Sequence, residues 1–374
     1  MKFSLAKNRT ALLGLPMFVV AVVLVCVSGC QRKSKQVSTL NEPQASKHDQ
    51  ADPPIMQPTG TGTATVEFLN LPDKQTVALY RIQANTVVEI QKLTEQTLEL
   101  PSGFYMASME NGRTKFPVPA LAPFLDSKLT IPLNAFPPSD KDWCWIPSGP
   151  TIMGDTLGVG REDERPARIV DVDGFWLAKF EVTNRQYAEF LTACSSVGKT
   201  IQENWIDLRS RKCHVKQNKS GGFESDAGDF PVVMVSLAGA QAYCQWLSES
   251  YKKTYRLPTE SEWEKAARGP ELFVYSYGNI YKQSNANQES GKLKPVGTYQ
   301  PNSYGLFDMT GNAFEWMSDV ADPSKKETTL NHSLRGGSFV LDGMYLRNSF
   351  RMRQSPSVMT DDIGFRVVRE KSSN

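Results

Sequence analysis

Hydrophobic and polar positions divide the chain into four stretches with different patterns. Residues 1–30 hold a basic head and a long apolar run, and residues 31–63 are rich in Gln, Ser, Lys and Pro without any aromatic residue. Residues 64–138 alternate apolar and polar positions in short runs, whereas residues 142–370 combine helical periodicity with long Gly- and Asn-rich loops. We predict a leader, a disordered tether, a small β-sandwich and a larger α+β domain.

The β-sandwich is predicted from short runs that are rich in β-branched residues. TVEFLNL, TVALYRI and TVVEIQKL alternate in hydrophobicity, and turn residues such as Pro72 and Asp73 separate them. Short strands at this spacing are typical of sandwiches. The proline-rich residues 117–138 are interpreted as a linker. Residues 64–138 contain no histidine, and we expect a spacer or adhesion module without chemistry of its own.

Three amphipathic helices are predicted in the larger domain. The first covers residues 184–193, and the second covers residues 236–251. The third begins with a capping box, in which Thr259 and Glu262 each accept from the other's backbone amide, and it ends at Gly269. Three modest helices among long loops favour an α+β fold. No βαβ alternation, P-loop or dinucleotide-binding glycine pattern occurs.

Residues 1–30 have the layout of a secretory signal peptide. The basic head and apolar run end in Val-Ser-Gly-Cys at Cys30. This ending resembles the bacterial lipobox, in which the cysteine is diacylated and becomes the mature N-terminus. A single transmembrane anchor is the alternative, because the run is nearly long enough to span a bilayer. We therefore expect a lipid anchor at Cys30 and a place in the cell envelope, at the outer membrane or facing the periplasm.

Four further cysteines follow the leader, at Cys144, Cys194, Cys213 and Cys244. Export would allow them to form disulfides, and four cysteines permit three complete pairings. We favour the pair Cys194 and Cys213, because these two flank one polar insertion. A zinc site is not expected, since no CxxC occurs and the one histidine nearby is His214.

The charge balance argues against one class of partner. Lys and Arg number 42 against 40 Asp and Glu, which gives a formal net charge of +2. A nucleic-acid-binding surface relies on a basic excess, so nucleic acid is not an expected partner.

Residues 302–316, which read NSYGLFDMTGNAFEW, form the most unusual stretch of the larger domain. They hold too much Gly and Asn for a long helix and too many large apolar side chains for a solvated loop. A packed, irregular segment must find partners for its backbone polar groups. Its two acidic side chains, Asp308 and Glu315, are therefore candidates for a site.

Several motifs occur in one order and together resemble the formylglycine-generating enzyme family, also called sulfatase-modifying factors. They are WIPSG at 145–149, EVTN at 181–184, RLPTESEWE at 256–264, GLFDMTGNAFEW at 305–316, RGGSF at 335–339 and GFRVV at 364–368. The resemblance covers residues 142–370. It implies a loop-rich domain related to the C-type lectin fold. It also implies an oxidase that uses oxygen and Cu(I), held by two cysteine thiolates, to convert a sulfatase cysteine to formylglycine.

The residues that this chemistry needs are missing. In the family the two thiolates follow the Gly-Gly-Ser motif at positions that correspond to Leu341 and Leu346. A leucine can neither bind Cu(I), which needs a soft ligand, nor exchange disulfides with a substrate cysteine. Ser338, an active-site position of the family, is retained. Copper is therefore not expected, and the resemblance implies the fold without the oxidase.

The resemblance also implies a calcium site in the segment 302–316. Family members bind Ca²⁺ through positions that match the side chains of Asp308 and Glu315 and the carbonyls of Gly311 and Ala313. These are hard oxygen ligands of the kind that Ca²⁺ prefers. The alternative is a turn in which Asp308 and Glu315 cap backbone amides.

Two classes of function follow. The first is a non-catalytic binding or scaffolding module on a lipoprotein, with an envelope protein or glycan as ligand. Guanidinium groups pair with anions, so arginines are candidates for binding the ligand. The candidate ligand-binding residues are Ser338, Arg347, Arg351 and Arg353. Ordinary salt-bridged arginines are the alternative interpretation. The second class is an oxygen-dependent enzyme, such as a formylglycine-generating oxidase, that acts on sulfatase cysteines. A maturation factor that binds sulfatases without modifying them is a third possibility.

Overall fold

The computed structural model describes residues 62–72, 76–83, 86–109, 112, 114–120, 128–134, 136–138, 140–320 and 331–371. Cys30 and the predicted signal peptide lie outside these residues, as does nearly all of the predicted tether. None of the helices in the described part of the chain combines the length and apolar character needed to cross a bilayer.

Seven short strands form two sheets at the start of the described chain. They are β1 (Thr63–Leu69), β2 (Val77–Gln83), β3 (Thr86–Lys92), β4 (Thr97–Pro101), β5 (Gly103–Met109), β6 (Lys115–Ala120) and β7 (Leu129–Pro132). One sheet has the order β4-β1-β7 and the other β3-β2-β5-β6. Both contribute to one apolar core, in which Val66, Phe68, Leu79 and Val118 are fully buried.

Strand β6 corrects the interpretation of residues 117–138 as a linker. It pairs with β5 in antiparallel register, with Pro117 opposite Met106 and Pro119 opposite Phe104. Proline has no backbone N–H to donate to a neighbouring strand. Strand β6 is an edge strand of its sheet, and the N–H groups on its outer side need no partner strand. Strand β7 also falls within the supposed linker and pairs with β1.

The larger domain alternates short strands with long irregular segments. Its strands are β8 (Trp143–Ile146), β9 (Gly149–Met153), β10 (Arg168–Val172), β11 (Phe175–Ala178), β12 (Val215–Gln217), β13 (Phe223–Ser225), β14 (Tyr255–Arg256), β15 (Phe314–Val320), β16 (His332–Arg335), β17 (Met352–Gln354), β18 (Ile363–Gly364) and β19 (Val368–Arg369). Two four-stranded sheets, β14-β19-β11-β8 and β17-β16-β15-β18, organise it, and two hairpins pair β9 with β10 and β12 with β13.

The helices of this domain begin where their capping residues predict. They are α1 (Asn184–Ser196), α2 (Leu237–Tyr251) and α3 (Glu260–Arg268). The side chains of Thr183, Ser236 and Thr259 each accept a hydrogen bond from the third residue beyond them. The capping box of Thr259 and Glu262 is present. The predicted α+β, loop-rich class is confirmed.

The two parts of the chain share apolar contacts. Ile169 of β10 packs against the sandwich core and also against a small cluster formed by Ile152, Ala167 and Leu272. Phe104 of β5 touches this second cluster. The sandwich therefore rests against the β9–β10 hairpin.

Candidate functional site

The segment 302–316 is held at its centre by the side chain of Asn312. Its Nδ2 donates to Glu181 Oε1 at 3.0 Å, while its Oδ1 accepts from Asn287 Nδ2 at 2.9 Å and from the Lys294 amide at 3.0 Å. The backbone amide of Asn312 donates to the Asn287 carbonyl. Beside it, Gly311 has a φ of +81°, and a Cβ there would lie 2.3 Å from the Asn287 carbonyl oxygen. Only glycine fits this turn.

Glu315 forms a buried ion pair with Arg366. Its Oε1 accepts from Arg366 Nη2 at 2.7 Å, and its Oε2 accepts from Arg366 Nε at 2.7 Å and from the indole Nε1 of Trp263 at 2.7 Å. Neither the carboxylate nor the guanidinium is exposed to solvent. Arg366 also donates to the carbonyls of Phe307 and Ala178. The pair therefore ties the segment to the last strands of the chain.

Asp308 lies beside a second buried acid, Glu181. Asp308 has a φ of +56°, and its Oδ2 accepts from the Gly297 amide at 2.6 Å. Burial raises the pKa of both carboxyl groups, and the Coulombic repulsion between the two raises the pKa of Glu181 further. Glu181 Oε2 is buried without a hydrogen-bond partner in the described part of the chain. Two adjacent buried acids of this kind favour having at least one of them protonated.

Glu315, one of the four predicted calcium ligands, has a positive partner within the protein. Both of its oxygens accept hydrogen bonds from Arg366, and one also accepts from Trp263. A cation at this carboxylate would have to displace the guanidinium of Arg366. The ion pair favours the alternative interpretation, in which the acids of this segment find partners within the protein, and the calcium site of Asp308, Gly311, Ala313 and Glu315 stays a prediction.

The positions of the two family thiolates are filled by packed leucines. Leu346 is fully buried in a cluster with Val274, Tyr275 and Ala286, and Leu341 packs against the same cluster. Gly337 has a φ of +72°, and a Cβ on it would lie 2.2 Å from Leu346 Cδ2. The backbone at Gly337 therefore lies in close contact with Leu346. The two positions that hold copper-binding thiolates in the family are occupied here by leucines packed in an apolar cluster.

Ser338 is engaged in a structural contact. It is fully buried, and its hydroxyl donates to Asp362 Oδ2 at 3.0 Å. Burial raises the pKa of Asp362, which also accepts from the Thr360 hydroxyl. Neither described histidine, His214 or His332, is hydrogen-bonded to Ser338. Ser338 therefore lacks the histidine partner of a Ser-His pair, and its hydroxyl is hydrogen-bonded to the buried Asp362.

The three candidate arginines all face acidic side chains. Arg347 is buried and donates to Glu164 Oε1 at 2.8 Å. Arg351 Nε lies 3.4 Å from Glu260 Oε2, and the remaining arginine, Arg353, has its Nη2 3.9 Å from Asp163 Oδ2. The alternative interpretation of salt-bridged arginines thus describes Arg347 well. Arg353 remains about one-third exposed and is the weakest of the three pairs.

Two acidic residues without a sequence signal for their distant partners hold the domain together. Glu164 accepts from both Arg347 and Ser349, although it precedes them by more than 180 residues. On α3, Glu264 accepts from the Gly154 amide, 110 positions earlier, as well as from Arg268 one helical turn later. Local patterns reveal the pair with Arg268 but none of the distant partners.

The favoured disulfide between Cys194 and Cys213 is not formed. Both are free thiols, as are Cys144 and Cys244, and all four are buried. Burial raises the pKa of each thiol, that of Cys144 to about 11. These thiols are poorly ionised at neutral pH and therefore weak nucleophiles.

Comparison with known proteins agrees with the motif order. Residues 133–371 match the model of the sulfatase-modifying factor enzyme 1-like domain. The chain is 31% identical over 306 residues to a Mus musculus protein named inactive Cα-formylglycine-generating enzyme 2, covering 68% of this chain and 96% of the relative. It is 28% identical over 281 residues to the Mus musculus formylglycine-generating enzyme, covering 60% of this chain and 74% of the relative.

Parts of the chain are also similar to proteins of other kinds. A serine/threonine-protein kinase, pkn1 of Chlamydia pneumoniae, is 32% identical over 226 residues, which are 56% of this chain but only 35% of the kinase. Among solved structures, PvdO from Pseudomonas aeruginosa is similar with a TM-score of 0.48 and 25% identity, covering 61% of this chain and 94% of that one. The family model covers well over half of the sequence, and the chain therefore belongs to the sulfatase-modifying factor enzyme family.

Proposed function

We propose that the family domain is a non-catalytic binding or scaffolding module. The observation that carries this proposal is the pair Leu341 and Leu346, which occupies the positions of the copper-binding thiolates with packed side chains. No cysteine follows Cys244 in the sequence, so no other thiolate can arise from this part of the chain. The four thiols of the larger domain are buried elsewhere.

The similarity to a mouse relative named as inactive supports the same proposal. That relative covers more of this chain than the mouse formylglycine-generating enzyme does. The alternative is a formylglycine-generating oxidase or a related oxygen-dependent enzyme, which the similarity to the mouse enzyme favours. The two functions differ in whether a substrate cysteine is converted to an aldehyde.

A mass measurement on a peptide substrate decides between them. The purified chain is incubated with Cu(I), oxygen and a peptide that carries a sulfatase-type cysteine, beside an active family enzyme as positive control. We expect an unchanged peptide mass, because no soft ligand pair holds copper. An aldehyde product from this chain would overturn the non-catalytic role. The double variant L341C/L346C shows in parallel whether the thiolates alone are missing.

The membrane attachment is a separate part of the proposal. We propose that diacylation of Cys30 anchors the module in the cell envelope, where a protein or glycan is its ligand. Metabolic labelling with a palmitate analogue tests the anchor: label is expected on the wild-type chain and not on Cys30→Ala. Label that persists on the variant would contradict lipidation at this residue.

A further inference from the structure

One face of the sheet β14-β19-β11-β8 carries an unbroken row of aromatic and cationic side chains. Tyr255 is opposite Arg369, Arg369 is opposite Trp176, and Trp176 is opposite Trp145 in the register of the four strands. Directly opposed residues lie on the same face of a sheet. The other face, with Leu177 and Val368, packs into the apolar core.

The members of this row contact one another in sequence. Trp145 and Trp176 have ring centroids 5.5 Å apart, and Arg369 Cζ lies 4.8 Å from the Trp176 ring. Arg369 Cζ also lies 4.8 Å from the ring of Trp143, whose centroid is 5.5 Å from that of Tyr255. Adjacent rings are inclined by 50° or more, so the row is corrugated and not flat. We call these five residues the aromatic row.

Two cavities open along the aromatic row. One of about 480 Å³ is lined by Trp143 and Tyr255 and extends to Trp246 and Tyr251 on α2. The other, of about 380 Å³, lies along Trp145 and Trp176, and Trp143 lines both cavities. Tyr251 continues the row, with its ring 6.2 Å from that of Tyr255, and it is 62% exposed. Both cavities fall in the size range of small-molecule sites.

The rim of the larger cavity offers charged groups of both signs. Asp142, Glu189 and Lys253 are exposed and form no salt bridge to any other described residue, and Gln186 also lines the cavity. Charged side chains at a protein surface are normally solvated, so their lack of partners is not unusual in itself. Because Asp142, Glu189 and Lys253 surround aromatic rings, a ligand of this cavity needs both apolar faces and polar edges.

We propose that the aromatic row and its two cavities bind a soluble oligosaccharide. A sugar ring has apolar C–H faces that pack on aromatic side chains, and hydroxyl groups at its edges that both donate and accept hydrogen bonds. Asp142 and Glu189 accept from hydroxyls, and Lys253 donates to them. A corrugated row with separate cavities suits a single flexible chain of sugar units.

A proline-rich peptide is the competing ligand for an aromatic groove. Such a peptide presents carbonyl acceptors but few N–H donors, because proline has none. It could donate few hydrogen bonds to the carboxylates of Asp142 and Glu189, whereas each free sugar hydroxyl can donate one. The carboxylates on the rim therefore favour the oligosaccharide. The oligosaccharide site rests on the proposed binding role and adds to it a ligand class and the sheet face that binds the ligand. The peptide-mass assay tests oxidase activity, so its outcome does not decide whether this site binds an oligosaccharide.

Binding is tested on the full chain with a printed array of soluble oligosaccharides and with decaproline. Hits are titrated in solution by tryptophan fluorescence, since three tryptophans lie in the aromatic row. We expect saturable binding of one class of oligosaccharide and none of decaproline. Tyr251→Ala should weaken that binding about tenfold, which is near the lower end of the cost of removing one aromatic ring from under a stacked nucleobase. Because Tyr251 is exposed, this variant is expected to fold normally.

Two further variants distinguish the contribution of the charged rim to binding from that of the aromatic rings. E189Q replaces a charged acceptor by a weaker one and should weaken oligosaccharide binding while it leaves the fluorescence of the free protein unchanged. Tyr299→Ala, whose partly exposed ring contacts Lys294 away from the aromatic row, serves as the matched control and should bind normally. A flat array, undiminished binding by Tyr251→Ala, or preferential binding of decaproline would each overturn the proposal.

Discussion

At the level of single residues, the fully buried ion pair of Glu315 and Arg366 is expected to have a large effect on stability. Removing one partner of a buried pair leaves the other charge unpaired, which costs about 3–5 kcal/mol. Arg366→Met should therefore lower the free energy of unfolding by about that amount in urea denaturation. Arg209→Met, which removes an exposed pair with Glu203, should change it by less than about 1 kcal/mol. Equal effects of the two variants would contradict the structure.

The same pair makes a prediction about calcium. Because Arg366 already neutralises Glu315, we expect the Tm of the purified chain to be the same with and without EGTA. Metal analysis of the purified protein provides the control. A lower Tm in EGTA, together with bound Ca²⁺, would show that the predicted calcium site forms and that Glu315 exchanges Arg366 for the metal.

Lys265 gives the protein a pH dependence with a defined sign. Its side chain is fully buried on α3, and its Nζ donates to the Gly149 carbonyl at 2.7 Å. Burial lowers its pKa from 10.5 to about 7, although Asp171 and Asp173 oppose this shift. Between these two values the unfolded chain binds one more proton than the folded chain, so this residue makes stability rise with pH.

The corresponding variant is Lys265→Met. The wild-type chain should gain stability relative to the variant as pH rises from about 7, by at most about 1.4 kcal/mol per pH unit. Urea denaturation of both proteins at pH 7 and at pH 9 measures the difference. A difference between the two proteins that does not change with pH would show that Lys265 stays charged in the folded state.

At single residues, the sequence indicates which side chains need partners but not which partners they find. Asp308 and Glu315 stand out, because acidic residues in a packed Gly- and Asn-rich stretch need partners. The groups that contact them, the Gly297 amide and Arg366, have no such signal. Glu315 and Arg366 are 51 positions apart, and no periodicity connects positions in different irregular segments.

At the level of elements, the N-terminus of α3 depends on Thr259. Its hydroxyl accepts from the Glu262 amide, and the Glu262 side chain accepts from the Thr259 amide. Thr259→Ala should lower the free energy of unfolding by about 1 kcal/mol. Ser196→Ala, near the C-terminus of α1 and exposed, is the matched control and should have little effect. No loss in the Thr259 variant would mean that Arg256, which also binds Glu262, fixes this end of the helix.

The helices could be predicted from local sequence, whereas strand β6 and the short strands of the larger domain could not. A capping residue and an apolar stripe can be recognised within one or two helical turns, so the bounds of α1 and α3 are predicted to within a few residues. Strand β6 contains Pro117 and Pro119, which argue against a strand in the centre of a sheet. Its position at the sheet edge, which makes both prolines acceptable, depends on the pairing of β5 and is not visible in its own residues.

At the level of the whole molecule, the sandwich and the larger domain should unfold together. Ile169 packs against apolar clusters on both sides of their junction, and Phe104 reaches across it. We expect one calorimetric transition, and Ile169→Ala should lower its Tm without splitting it. Two separate transitions in the wild-type chain would contradict this, and Ile90→Ala, on the exposed strand β3, is the control.

The family is the part of the whole molecule that the sequence predicts best, because the order of the motifs identifies the domain. That Leu341 and Leu346 replace the copper-binding thiolates rests on the resemblance and stays a prediction. The aromatic row was not predicted, since Tyr255, Arg369, Trp176 and Trp145 come from four separate strands. Their alignment exists only once β14, β19, β11 and β8 are in register.

The ion pair of Glu315 and Arg366 also has a consequence for the order of folding. Arg366 follows Glu315 by 51 positions, yet it neutralises a buried acid on a central strand and bonds to the carbonyl of Ala178. Glu164 likewise pairs with Arg347, 183 positions later. The larger domain therefore acquires its native core only when segments distant in sequence have met, and it should fold slowly. A truncated variant that ends before Arg366 should remain sensitive to proteases.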